Sequence, residues 1–266
     1  MLLAFGYRLN KRRIPLICGL RASTQQKVRL MPGIFFVGTD TDVGKTFITA
    51  KVARLLHTPG QRVGVYKPAC SGAVTDSGGN WIWQDIEALA GAIDGEQLKD
   101  RICPQRFNAA KAPPVAASLE GGQVDWQQML EGLAWWQSES DMVLVEGVGG
   151  FLCPLTESET IADFAVEIKL PLVIVAHLGL GTINHSLLTL EAARARGLDV
   201  AGIILNQAHP NDGDPANRSN QKEIEDRGKV PVLGVVEYEE SDASVALRNE
   251  EAIGRIDWNG LMRAMN

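Results

Sequence analysis

Cysteine is scarce and scattered in this 266-residue chain: Cys18, Cys70, Cys103 and Cys153, with no CxxC pair. That pattern excludes a disulfide framework and a thiolate zinc site, and it points to small core or near-site thiols in a reducing, cytoplasmic compartment. No apolar run approaches the roughly 20 residues that a helix needs to span a bilayer, so a membrane-spanning segment is not expected. A convincing Ser-His-Asp set is also missing, which argues against covalent catalysis through a serine. Acidic residues are absent from the first thirty positions, where seven basic groups stand (Arg8, Lys11, Arg12, Arg13, Arg21, Lys27, Arg29). The rest of the chain then holds 19 basic against 32 acidic groups, a net of −13. An acidic body of this kind argues against general nucleic-acid binding, which needs clustered Lys and Arg to neutralise phosphates.

Residues 1–30 are Arg-rich like a targeting peptide but lack the compact apolar stretch and small-residue cleavage site of a secretory signal. They are read as lying outside the fold, with Met31 as an alternative start or the segment as a disordered or organelle-directing tail. The domain is expected over residues 31–266. Short, almost continuous β-branched runs recur along it: Ile34–Val37, Val63–Tyr66, Met142–Val145, Leu172–Ala176, Ala201–Leu205 and Val232–Val236. Strands that do not alternate are buried on both faces, as in a parallel sheet covered by helices. Helical spacing of apolar residues predicts helices over Lys45–His57, Trp126–Gln137 and Ile183–Arg196. Gly60, Gly197 and Gly228 stand where helix C-termini favour glycine. Asn211–Asn220 reads as a polar loop. With no internal repeat and no second core, the expectation is a single doubly wound α/β domain of P-loop type, a mostly parallel sheet with helices on both faces.

After the first strand comes Gly38-Thr39-Asp40-Thr41-Asp42-Val43-Gly44-Lys45-Thr46 and then a helix, the context that a phosphate-binding loop requires. Loop amides and the helix N-terminus would face phosphates, Lys45 would reach the terminal ones, and the Thr46 hydroxyl could ligate Mg²⁺. Thr39 stands where the strict motif has its first glycine. Glu146 ends the strand Met142–Val145 and opens Glu146-Gly147-Val148-Gly149-Gly150, where α/β sheets place ligands. Asp85, at the start of a helical pattern, suits an N-cap or a metal ligand. Lys67, after strand Val63–Tyr66 and fixed by Pro68, points toward the cleft rather than solvent.

Taken in order, GTDTDVGKT, KP-x-x-SG (Lys67 to Gly72), Asp85, EGVGG, Gly181-Thr182-Ile183-Asn184-His185 and Asn206 resemble the dethiobiotin synthetase family over about residues 33–240. The resemblance implies that Asp42, Val43, Gly44, Lys45, Thr46 and Phe47, with Glu146, Gly147, Val148 and Gly149, surround ATP, and that Asn206 and Gln207 meet its base. It implies Mg²⁺ ligands Thr46, Asp85 and Glu146, and catalytic roles for Lys45 and Lys67. Ser71 and Asn184 would bind substrate, Asn184 across a homodimer interface. A stretch from Phe107 to Pro113 would line the substrate channel, with Lys111 a solvated charge. His177 stands where relatives often have Arg or Lys and reads as a neutral packed imidazole; Trp81 and Trp83 match no motif. The implied reaction joins 7,8-diaminononanoate, CO₂ and ATP in a ring closure. Two rivals are another P-loop amide- or ring-forming ligase, such as a cobyrinic acid diamide synthase, and a non-enzymatic partitioning-type ATP switch.

Overall fold

The computed structural model describes residues 31–210, 217–240 and 242–263. The expected extension, Cys18 and residues 211–216 of the polar loop lie outside the described residues. Six strands form one parallel sheet: β1 (Gly33–Gly38), β2 (Val63–Tyr66), β7 (Met142–Glu146), β8 (Leu172–His177), β9 (Val200–Asn206) and β10 (Val232–Val236). Their order is β10-β9-β8-β1-β7-β2. Short strands outside it are β3 (Ala69–Ser71), parallel to β6 (Gln105–Phe107), and the antiparallel pair β4 (Val74–Thr75) and β5 (Trp81–Ile82). The helices are α1 (Lys45–Leu56), α2 (Gln84–Ala92), α3 (Lys99–Ile102), α4 (Pro113–Leu119), α5 (Trp126–Glu139), α6 (Ile161–Ile168), α7 (Thr182–Arg194), α8 (Asn217–Gly228), α9 (Ala243–Gly254) and α10 (Trp258–Arg263).

Every residue of β1 and β7 is buried, because helices cover both faces of the central strands. Phe35 meets the edge of Phe164 on α6 at 5.9 Å, and Phe36 meets Trp258 on α10 at 5.9 Å, so the two faces of β1 are closed by different helices. Met31 is half-buried against this core. Register then sets the site. Phe36 lies beside Glu146, Tyr66 beside Val145 and Gly38 beside Val175, which brings the loops after β1, β2, β7 and β8 to one carboxyl edge of the sheet. The chain runs from β1 toward β2 in one direction and toward β8, β9 and β10 in the other, so the sheet reverses at β1 and opens a crevice there.

Two local expectations need correction. The polar loop is shorter than its composition suggests, since Asn217–Asn220 already belong to α8. Gly60 and Gly197 do take left-handed backbone after their helices (φ 88° and 70°), but behind α8 that role falls to Lys229 (φ 49°). Gly228 is the last residue of α8, and an added Cβ there would lie 2.9 Å from Leu190 of α7, so its small size serves helix packing.

Candidate active site

The loop between β1 and α1 curls through two left-handed residues, Asp42 (φ 58°) and Gly44 (φ 89°). Gly44 caps α1 without a side-chain hydrogen bond, and the first turn carries no acidic residue, so its amides are left for an anion. Glycine is required at 44 twice over: by its φ and because a Cβ there would fall 2.0 Å from Asn206 Nδ2. At Gly38 a Cβ would meet Lys45 Nζ at 2.8 Å; its absence lets the lysine lie back along the loop and donate to the Asp40 carbonyl at 2.9 Å. Lys45 is 7% exposed. Burial, reinforced by the nearby Lys67 charge, lowers its pKa to about 8.

Lys67 is the electrostatic centre. Its ammonium donates to Glu146 Oε1 at 2.5 Å and pairs with Asp85 Oδ2 at 2.9 Å. Burial alone would lower its pKa, but the two carboxylates outweigh that and hold it well above the ordinary lysine value. In return Lys67 holds the Asp85 carboxyl below its ordinary value. Asp85 is therefore an ion-pair partner inside the first turn of α2, not its cap, which is Trp83. Thr46 Oγ1 donates to the same Glu146 Oε1 at 2.7 Å, whereas Glu146 Oε2 is buried with no hydrogen-bond partner. Such an orphaned carboxylate oxygen asks for a further cation. The hydroxyl and two carboxylates suit a hard ion that completes its shell with phosphate oxygens and water. Among the described residues no group of three or more His, Cys, Asp or Glu could hold a metal ion by itself.

These groups share one cleft of about 920 Å³. Of the residues singled out in the sequence, Asp42, Gly44, Lys45, Thr46, Phe47, Lys67, Ser71, Asp85, Glu146, Val148, Gly149, Asn206 and Gln207 line it. Three do not. Val43 is buried, and its carbonyl accepts from Asn206 Nδ2 at 2.9 Å. Gly147 continues β7, its N–H donating to Phe36, and packs near Ile161. Asn184 is exposed on the first turn of α7. Asn206 Oδ1 is buried without a partner, so this amide has one acceptor in reserve. Lys111 is exposed on the cleft rim, with Ala110, Ala112 and Pro113 beside it. His177 is exposed instead of packed; partial burial and the ring of His209, 6.2 Å away, push its pKa down, which keeps the imidazole neutral at pH 7.

The sequence reading missed two walls. Trp83 lines the cleft, its indole N–H donating to the Phe107 carbonyl at 3.0 Å and its ring lying 5.8 Å from the Arg106 guanidinium. No local motif marks it. Glu237, Tyr238 and Glu239 form another part of the cleft's lining. They follow β10 as Gln207 follows β9, so the rule that ligands sit beyond strand carboxyl ends would have found them. The described cysteines are free. Cys70 also lines the cleft, but burial raises its thiol to about 12, which leaves it inert at neutral pH.

Fold and site define a P-loop nucleoside-triphosphate-using protein of the parallel α/β class. Residues 32–244 match a family model described as an AAA domain. The fold is similar to that of a ParA family ATPase from Chlorobium tepidum (TM-score 0.51, 17% identity, 88% of this chain and 99% of that one). It is similar also to a chain of the MinC:MinD cell division protein complex of Aquifex aeolicus (TM-score 0.50, 14% identity, 88% and 95%). Sequence similarity is more specific. The chain is 44% identical to the ATP-dependent dethiobiotin synthetase BioD of Anaeromyxobacter sp. over 194 residues, covering 73% of this chain and 84% of that one. Against the enzymes of the same name from Rhodopirellula baltica and Lysinibacillus sphaericus it is 39% and 40% identical, covering 74% and 73% of this chain and 79% and 81% of theirs. The chain belongs to the ATP-dependent dethiobiotin synthetase family, ligases that form carbon–nitrogen bonds in biotin biosynthesis.

Proposed function

We propose that this chain uses its central cleft to carboxylate 7,8-diaminononanoate and to close the ureido ring at the expense of ATP. The observation that carries the reading is the meeting of Lys45, Lys67, Asp85 and Glu146 in one cleft of a chain 44% identical to a dethiobiotin synthetase. One substrate amine takes up CO₂ as a carbamate. The γ-phosphoryl group passes to a carbamate oxygen, giving ADP and a carbamic–phosphoric anhydride. The second amine, in its neutral form, attacks the carbonyl carbon; the C–N bond forms as the C–O bond to phosphate breaks, and the amine gives up one proton to the departing phosphate and keeps one N–H in the ring. Lys45 neutralises the terminal phosphates, and Lys67 the oxygens that gain charge beside it. Ser71 orients the diamine near Lys67, and because ring closure is intramolecular, orientation supplies several kcal/mol of barrier reduction. Thr46, Asp85 and Glu146 would hold Mg²⁺, which supplies charge neutralisation at the phosphates when bound. The test is ATP hydrolysis with and without the diamine and bicarbonate, with product mass measured. Hydrolysis indifferent to the diamine, with no ureido product, would leave a switch-type ATPase instead. Among the described residues no helix is long and apolar enough to cross a membrane.

Asn206 supports adenine as the base. Because its Nδ2 is committed to Val43, the amide keeps Oδ1, buried and without a partner, as the acceptor for an exocyclic amino group. Inosine triphosphate presents an oxygen there, leaving two acceptors opposed. It should bind about a hundredfold more weakly than ATP by calorimetry. Equal affinity would remove Asn206 from base recognition.

A homodimer completes the substrate site in this reading. Asn184 and His185 are exposed and stand away from their own chain's cleft. Around them Leu180, Leu188 and Leu152 are 91%, 56% and 52% exposed. A side cavity joins Leu188 and Thr189 of α7 to Thr39–Thr41 of the phosphate loop, so a second copy on this face would reach the loop. Mixing inactive Lys45→Ala and Asn184→Ala proteins under subunit exchange should restore activity, since one site of the heterodimer receives both intact residues. Proven exchange without recovery would refute a shared site.

A further inference from the structure

Beyond β10, which is an edge strand, the backbone of Glu237 faces outward: Val236 has its carbonyl committed to Gln207, just after β9, and successive residues alternate sides. An outward N–H and C=O at an edge normally go to water or to another strand. In this chain one side chain takes both. Asn249 of α9 accepts from the Glu237 N–H at 2.9 Å and donates to the Glu237 carbonyl at 3.0 Å. The same Nδ2 lies 3.3 Å from Glu239 Oε2. Asn249 is 1% exposed, so these bonds are shielded from competing water. The segment is tied from the other side as well: Glu239 pairs with Lys51 of α1 at 2.9 Å, with both groups largely buried, and the Lys51 ammonium rests 4.9 Å from the Phe47 ring centre. Glu237, Tyr238, Glu239 and Phe47 all line the cleft that Asn206 also lines. Asn249 itself lies beyond residues 32–244, the span matched by the family model.

We propose that Asn249 is a positioning residue for nucleotide binding: a buried amide that stands in for a missing strand and fixes Glu237–Glu239 as the wall of the nucleoside end of the cleft. It rests on the reading of that cleft as the ATP site. The phosphate loop is anchored by β1 and α1, whereas Glu237–Glu239 depend on Asn249 of α9, so loosening this wall should weaken the nucleoside grip more than the phosphate grip.

The test compares ATP, ADP and inorganic tripolyphosphate, which has phosphates but no nucleoside, by calorimetry on the full chain. In Asn249→Ala, Kd for ADP and KM for ATP should rise about tenfold. Tripolyphosphate affinity, KM for the diamine and kcat at saturating ATP should stay within about twofold. Lys51→Met leaves α9 untouched and removes the other anchor of Glu239; it should show the same signature, and it serves where Asn249→Ala does not fold. Loss of tripolyphosphate binding in parallel with ADP would overturn the proposal in favour of general loosening. Unchanged ADP affinity in both variants would overturn it too. If the unaltered protein bound neither ATP nor ADP, the ATP reading of the cleft would be what failed.

Discussion

Lys45→Ala is expected to lower ring closure by about a thousandfold while the protein stays folded, because a charge aimed at developing phosphate charge in a dry site is lost. The fold should tolerate the change. Lys45 donates only to the Asp40 carbonyl, and that exposed residue can turn to water. Stopped-flow turnover alongside thermal melting checks both halves; near-normal turnover by a folded variant would refute the phosphate-loop assignment. The same ammonium carries a pH signature. Burial and Lys67 bring its pKa to about 8 in the ligand-free protein, and phosphate binding needs the charged form. Nucleotide affinity should therefore hold below pH 8 and fall as pH rises through that value, by up to tenfold per unit. Calorimetry with ADP from pH 7 to 9.5 measures this apart from the diamine's own titration.

Lys67→Met should be as damaging to turnover, again about a thousandfold, with a much smaller change in ATP affinity, because its charge serves the reacting carbamate. It should also destabilise the ligand-free protein, unlike Lys45→Ala. Lys67 is 2% exposed against a Glu146 side chain of 0%, and removing one member of a buried pair costs about 3 kcal/mol. The acid limb tells where that stability resides. Lys67 depresses the Asp85 carboxyl, and a depressed carboxyl stabilises above its unfolded value and loses that contribution as pH falls through its folded one. The stability gap between the two proteins should thus be open at neutral pH and narrow as pH falls below about 4. By contrast, Asp85→Ala and Glu146→Ala should raise the Mg²⁺ concentration needed for activity. If Lys67→Met lost ADP binding as completely as Lys45→Ala, the division of labour between the lysines would be wrong.

The six strands of the sheet were readable from sequence to within a residue at each end because burial leaves an almost uninterrupted apolar run, as in Val63–Tyr66 and Met142–Val145. The phosphate loop and Glu146 were readable because strand-end chemistry is local. What escaped was set by contacts distant in sequence. Nothing near Asp85 announces that Lys67 will claim it, so the residue looked as much like a helix cap as a ligand. Trp83 acquires its place from the Phe107 carbonyl, 24 positions away. The C-terminal helices carry weak patterns, yet Trp258 and Met262 of α10 are core residues at 2% and 3% exposure. Gly228 looked like a helix terminator because a glycine packed closely against a neighbouring helix and one required by its own backbone angle are identical in sequence.

The contact between Gly44 and Asn206 also bears on how the protein comes into being. The two residues meet only after β9 has joined β8, across 163 positions from Val43 to Asn206, and Thr46 reaches Glu146 across 100. Contacts at such separations carry a large loop-closure cost and make a chain slow to fold. A chain growing from its N-terminus would expose the phosphate loop and both lysines long before the strands that shape them exist. Nucleotide capture should therefore lag behind synthesis until Asn206 has emerged, and ATP added during refolding should act late, on molecules whose sheet is already closed.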